Sequence, residues 1–152
     1  MNLPTCDTHA PAETLALGRR IGAALEAGDV VGLIGDLGAG KTQLVKGIAV
    51  GLGLADAGVV TSPTFVLMNT YAGRLPLRHY DLYRIEGAQL ESLAFHELRG
   101  TSASVVEWAD RARDSLEDWL EVAIEITGET SRRFSMRPHG VSAERLLARF
   151  KE

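Results

Sequence analysis

The alternation of apolar and polar positions divides the 152-residue chain into short strands and amphipathic helices. Over 11–28, Leu17, Ile21, Ala24 and Leu25 form one apolar face and Pro11 suits a first turn, so a helix is predicted there. The run VVGLI over 30–34 is short and apolar throughout, the mark of a buried strand. From 41 to 52, Leu44, Ile48 and Leu52 stack at intervals of four, which predicts a second helix with Gly53 as its stop. Val59, Val60 and Thr61 read as a brief strand. Segments 65–71 and 75–83 flank Ala72-Gly73-Arg74 and predict a β-hairpin. A helix is predicted over 86–98 with Leu90, Leu93 and Ala94 inward, followed by a short buried strand over 104–107. Alternation over 119–127 turns Val122, Ile124 and Ile126 to one face, with 132–136 as its pairing partner. A last helix is expected over 141–150, with Ser142 as its N-cap. Strands and helices interleave throughout, so the class is α/β and the chain reads as a single domain over 1–152.

Composition narrows the setting. One cysteine, Cys6, excludes an intrachain disulfide framework and a cysteine-pair zinc motif. The first twenty residues lack a basic and an apolar signal region, and no apolar stretch is long enough to span a bilayer. A cytoplasmic protein is expected. The formal charge of −4, with arginines scattered among acids, argues against a chain that grips a nucleic-acid backbone by itself.

Directly after the apolar run 30–34 comes GDLGAGKT. Gly35, Gly40, Lys41 and Thr42 match the pattern G-x-x-x-x-G-K-[ST], with Asp36, Leu37, Gly38 and Ala39 between them. Glycines let successive backbone N–H groups turn around an anion, and the N-terminus of the following helix adds partial positive charge. Lys41 reaches β- and γ-phosphates in such a loop, and the Thr42 hydroxyl is placed for Mg²⁺. A bound nucleoside triphosphate follows. No N-K-x-D stretch is present to read guanine, so ATP is expected.

Phosphoryl transfer also needs a carboxylate for the metal and a group to orient the attacking water. Glu107 ends the strand SVVE on the side where an open α/β sheet binds ligands, although a solvated strand-end Glu has the same spacing. Trp108 follows it, and core packing is the alternative for that ring. In HYDLYR, His79, Asp81 and Tyr83 share one strand face, opposite Tyr80 and Leu82; a functional site and a wet hairpin face both fit. Thr64, in TSPTF, is a candidate phosphate- or magnesium-sensing hydroxyl, or part of a plain turn. His79 shows no ligand spacing with His9, His96 or His139 that would suit zinc.

Together GDLGAGKT, TSPTF, HYDLYR and VVEW, in this order, resemble the TsaE family (also called YjeE), small bacterial ATPases of tRNA threonylcarbamoyladenosine synthesis. The resemblance runs from TLALG at 14–18 to VVEWADR, about two-thirds of the chain. It implies a P-loop NTPase-like three-layer α/β/α sandwich, with a mixed, mainly parallel sheet and antiparallel hairpins. It implies that Lys41 contacts phosphate, that Thr42 and Glu107 hold Mg²⁺, and that Asp81 serves turnover. It further implies a switch-like segment around Ser62-Pro63-Thr64, a Trp108 close to the nucleotide or a partner, and an arginine near the nucleotide, Arg132 or Arg133. Hydrolysis would be slow alone and productive with TsaD and TsaB, and tRNA would be met only through their complex. Two positions depart from the family pattern: Gln43 replaces a second threonine, and Ala109 replaces the proline after the tryptophan. A small-molecule kinase on the same fold and a nucleotide-sensing adaptor are the competing readings.

Overall fold

The computed structural model describes residues 4–36, 38–54, 56–60, 68–83 and 94–152. In chain order its elements are β1 (Thr5–Thr8), α1 (Pro11–Ala24), β2 (Val30–Ile34), α2 (Lys41–Gly51), β3 (Met68–Tyr71), β4 (Leu77–Asp81), α3 (Phe95–Leu98), β5 (Ala103–Glu107), α4 (Arg113–Leu116), β6 (Trp119–Ile126), β7 (Arg132–His139) and α5 (Val141–Lys151). The strands form one mixed sheet in the order β1-β7-β6-β2-β5-β4-β3. β2 lies between β6 and β5 and runs parallel to both, and β4 extends the parallel block beyond β5. β7 runs antiparallel to β6 and to β1, and β3 antiparallel to β4. Among the described residues five strands therefore point one way, with β3 and β7 reversed. The expected mainly parallel sheet with antiparallel hairpins is what the fold contains.

Strand parity sorts the core into two layers. Val31, Leu33, Val105, Leu120, Val122 and Ile124 join the apolar faces of α1, α2 and α5 on one side. Val30, Tyr80, Val106 and Trp119 face the other, where Phe95 of α3, Leu116 of α4 and a 3₁₀ turn over Ala109–Ala112 form a thinner cover. The sheet thus lies between two helical layers of unequal weight. α1 and α2 cross closely because glycine lines their contact. A Cβ on Gly47 would stand 2.2 Å from the Leu15 carbonyl oxygen and 2.9 Å from the Gly18 Cα.

Several sequence expectations need correction. The first helix ends at Ala24, because Leu25 is already extended (ψ 141°). Val59 lies in a 3₁₀ turn over Ala57–Val59 capped by Asp56, not in a strand, and Thr61 lies outside the described residues. Of the helix expected over 86–98 only Phe95–Leu98 is described; Leu90 and Leu93 fall outside the described residues. Ile126 is 48% exposed, beyond the point where α5 covers its strand face. The cap of α5 is not Ser142. Asp118, at the foot of β6, accepts hydrogen bonds from the backbone N–H groups of Ser142 and Ala143, both at 3.0 Å. β1 was not foreseen from its short, polar sequence.

Candidate functional site

The geometry begins with the turn from β2 into α2. Gly38 and Gly40 have φ of 80° and 102°, backbone that side chains resist, and Gly40 is the N-terminal cap residue of α2. A Cβ built at either would meet nothing within 4 Å, so the demand for glycine there is conformational and not steric. This left-handed path suits a loop that aims its N–H groups at an anion.

Lys41 opens α2 with only 6% of its surface exposed. Its ammonium donates to the carbonyl oxygens of Gly35 and of Asp36, the latter at 3.1 Å. The Trp108 ring covers it, with Nζ 3.8 Å from the ring centroid. Burial pushes the Lys41 pKa below the ordinary lysine range, while the charges of Glu107, Asp81, Asp110 and Asp36 pull it back up.

The carboxylates come from two neighbouring parallel strands. Asp81 ends β4 and Glu107 ends β5, and they are register partners. Leu33 of β2 pairs with Glu107 on the other side, which brings the strand end beside the glycine loop. Glu107 shares a sheet face with Ala103 and Val105, and Asp81 with Leu77 and His79. Both acids are buried. Adjacent buried carboxylates repel unless a cation is near; Lys41 supplies one, and the oxygen-only set of Thr42, Asp81 and Glu107 suits a hard divalent ion such as Mg²⁺. Asp81 also accepts a hydrogen bond from the Tyr83 backbone N–H at 2.9 Å. Behind the acids, the His79 Nε2 stands 2.5 Å from Oε2 of Glu107.

One cavity of about 450 Å³ collects these groups, lined by Gly38, Ala39, Gly40, Lys41, Thr42, Gln43, Asp81, Tyr83, Glu107 and Trp108. The volume is within the range of small-ligand sites. Asp36 lies at the loop's exposed start and contributes its carbonyl. Leu37 and Thr64 lie outside the described residues. The HYDLYR face is therefore a buried site wall and not a wet hairpin face, with Tyr83 at its rim, 37% exposed. Trp108, with φ of 59°, turns its ring back toward the loop. Gln43 lines the cavity and donates to the Pro11 carbonyl, and Ala109 is buried.

Arg132 is bonded to the glycine loop itself. Its guanidinium donates to the carbonyls of Ala39 (3.0 Å) and Gly38 (3.1 Å) in the glycine loop, and to those of Gly128 and Ser131 in the β6–β7 turn. It braces the loop from outside. Arg133 pairs with Asp7 on β1, away from the cavity. Nothing local in the sequence marks the Arg132 brace, because its loop partners lie more than ninety positions earlier.

The family model described as threonylcarbamoyl adenosine biosynthesis protein TsaE matches residues 8–134. The chain belongs to the TsaE family. It is 37% identical over 136 residues to the tRNA threonylcarbamoyladenosine biosynthesis protein TsaE of Treponema pallidum, covering 86% of this chain and 98% of that one. The protein of the same name from Bacillus subtilis is 39% identical over 139 residues, covering 90% and 86%. A crystal structure of Bacillus subtilis YdiB superposes with a TM-score of 0.83 at 33% identity, over 99% of this chain and 95% of that one. The TsaE match spans the glycine loop, both carboxylate-bearing strand ends and Arg132. Among the described residues no helix is long and apolar enough to cross a membrane.

Proposed function

We propose that this TsaE-family chain is a magnesium-dependent ATPase serving tRNA threonylcarbamoyladenosine biosynthesis, a single cytoplasmic domain whose nucleotide cycle acts on a TsaB–TsaD-type complex. One observation carries the reading: Lys41, Thr42, Asp81 and Glu107 converge on a single cavity beside a left-handed glycine loop. The family and the names of its relatives supply the pathway.

In this mechanism the N–H groups of the loop from Gly35 through Asp36, Leu37, Gly38, Ala39 and Gly40 cradle the phosphates of ATP. Lys41 exchanges its carbonyl partners for phosphate oxygens and offsets negative charge growing on the γ-phosphoryl. Thr42 and Glu107 hold Mg²⁺, which when bound supplies further charge neutralisation. Asp81 orients water or couples to a partner, Thr64 senses the phosphate end, and Trp108 borders the nucleotide. Arg132 acts indirectly, by holding the loop in its binding shape. The acidic chain meets tRNA only through the complex.

The test is ATP hydrolysis by the isolated chain and by the chain with TsaB and TsaD from the same cell. Weak turnover alone and clear stimulation by the pair are expected. Phosphorylation of a small acceptor by the isolated chain would instead identify a kinase. Stimulation of the modification by a Glu107→Gln variant that no longer hydrolyses ATP would identify an adaptor.

A further inference from the structure

Leu77, His79 and Asp81 face the same way along β4, and Ala103, Val105 and Glu107 do so along β5. Leu77, Ala103 and Val105 belong to the apolar core, whereas Asp81 and Glu107 line the cavity. His79 sits between the two, with none of its surface exposed. An imidazole buried at this depth is costly unless its nitrogens are bonded. Yet Nδ1 has no hydrogen-bond partner among the described residues, and the whole polar content of the ring is spent on one bond, from Nε2 to Oε2 of Glu107.

That bond has a direction. In the tautomer that carries its proton on Nε2, the imidazole donates and Oε2 accepts. With Oε2 held from the core side, Glu107 loses most of its rotational freedom and its Oε1 remains outside the bond. An apolar side chain would fill the same space without the polar cost, so packing alone does not account for a histidine here.

We propose that His79 is a positioning residue, which clamps Oε2 of Glu107 and thereby presents that carboxylate to the divalent ion. The inference rests on the reading of Glu107 as a magnesium ligand. Groups that fix a ligating carboxylate from behind govern metal affinity by roughly 10–100-fold.

His79→Met and His79→Gln give the test, since the two side chains have similar length and only glutamine carries an N–H near the place of Nε2. The readout is Mn²⁺ affinity of the protein–ADP complex, by electron paramagnetic resonance, beside ADP affinity in EDTA, by calorimetry. We expect His79→Met to weaken Mn²⁺ roughly 10–100-fold with ADP affinity in EDTA unchanged, and His79→Gln to recover most of the loss. Unchanged Mn²⁺ affinity in His79→Met overturns the proposal. So does an equal loss in both variants, which would make His79 a packing residue. A parent chain that binds ADP but adds no Mn²⁺ affinity over free ADP overturns the metal role of Glu107 itself. That outcome is distinct from a failure of His79 alone.

Discussion

The two flanks of the glycine loop each carry a cation bonded to loop carbonyls, and the two cations are built for opposite purposes. On the inner flank, Lys41 has a flexible stem, two carbonyl partners, an aromatic lid and two facing carboxylates. On the outer flank, Arg132 spreads its rigid fork over carbonyls of both the loop and the β6–β7 turn. A lysine can trade one acceptor for another with little rearrangement, whereas a planar guanidinium fixed by several acceptors cannot. On the proposed function, exchange belongs to the first flank and shape to the second. Two positive side chains near one loop thus make different sets of bonds there: Lys41 lines the cavity, and Arg132 also ties the loop to the β6–β7 turn.

The largest effect should come from the exchanging flank. Lys41→Ala is expected to lower ATP turnover about 100- to 1,000-fold, the usual cost of removing one charge-stabilising donor. Turnover is to be compared on folded protein, because the change also leaves the buried Asp81 and Glu107 without their facing cation. Turnover equal to the parent would remove Lys41 from the chemistry.

Next is a change that touches neither flank. Gly47→Ala drives a methyl group into the Leu15 backbone, which cannot yield as a side chain would. We expect a loss of about 1–3 kcal/mol in denaturant unfolding, with ATP affinity of the folded protein unaltered. Equal losses in binding and stability would mean that the α1–α2 crossing shapes the loop as much as Arg132 does.

Arg132→Met should weaken ATP binding about tenfold, roughly 1.4 kcal/mol, with a smaller effect on turnover at saturation. Arg132→Lys should not restore binding, because one ammonium cannot span both sets of carbonyls. Recovery by lysine would show that charge, not the brace, is what the outer flank contributes.

The smallest effect concerns Asp118, whose local fit to α5 serves as a control remote from the nucleotide. Burial raises its pKa, but bonds from the Ser142 and Ala143 amides, with the Arg99 charge, hold it below the ordinary value of 3.8 on balance. A carboxyl lowered by folding stabilises the fold above its unfolded pKa, and that stability fades as pH falls through the folded one. Asp118→Asn should therefore cost about 1 kcal/mol near neutrality, the size of a lost helix cap. The gap from the parent should close below pH 3.8 in acid-unfolding curves.

How much of this was legible beforehand depends on sequence distance. The strand, loop and helix around Lys41 are contiguous, so periodicity and a local motif were sufficient, and β2 was predicted with its observed bounds. Parity alone put His79 and Asp81 on one face. It could not say that this face is buried, because that depends on β5 pairing beside β4. Glu107 was a weak candidate by spacing and became specific only through the family resemblance. The Arg132 brace and the Asp118 cap involve partners 93 and 24 residues away, which no local pattern encodes. Polar β1 was missed because the strand it pairs with, β7, lies at the far end of the chain.

The lid over Lys41 has a practical consequence. The chain has two tryptophans, and the second, Trp119, is buried and stacked on His139 with ring centroids 4.8 Å apart. Replacing Trp119 by phenylalanine leaves a single indole, the one that shares its ring face with the ammonium. Its emission would then track the departure of that ammonium in real time, an optical clock for phosphate capture that needs no added label.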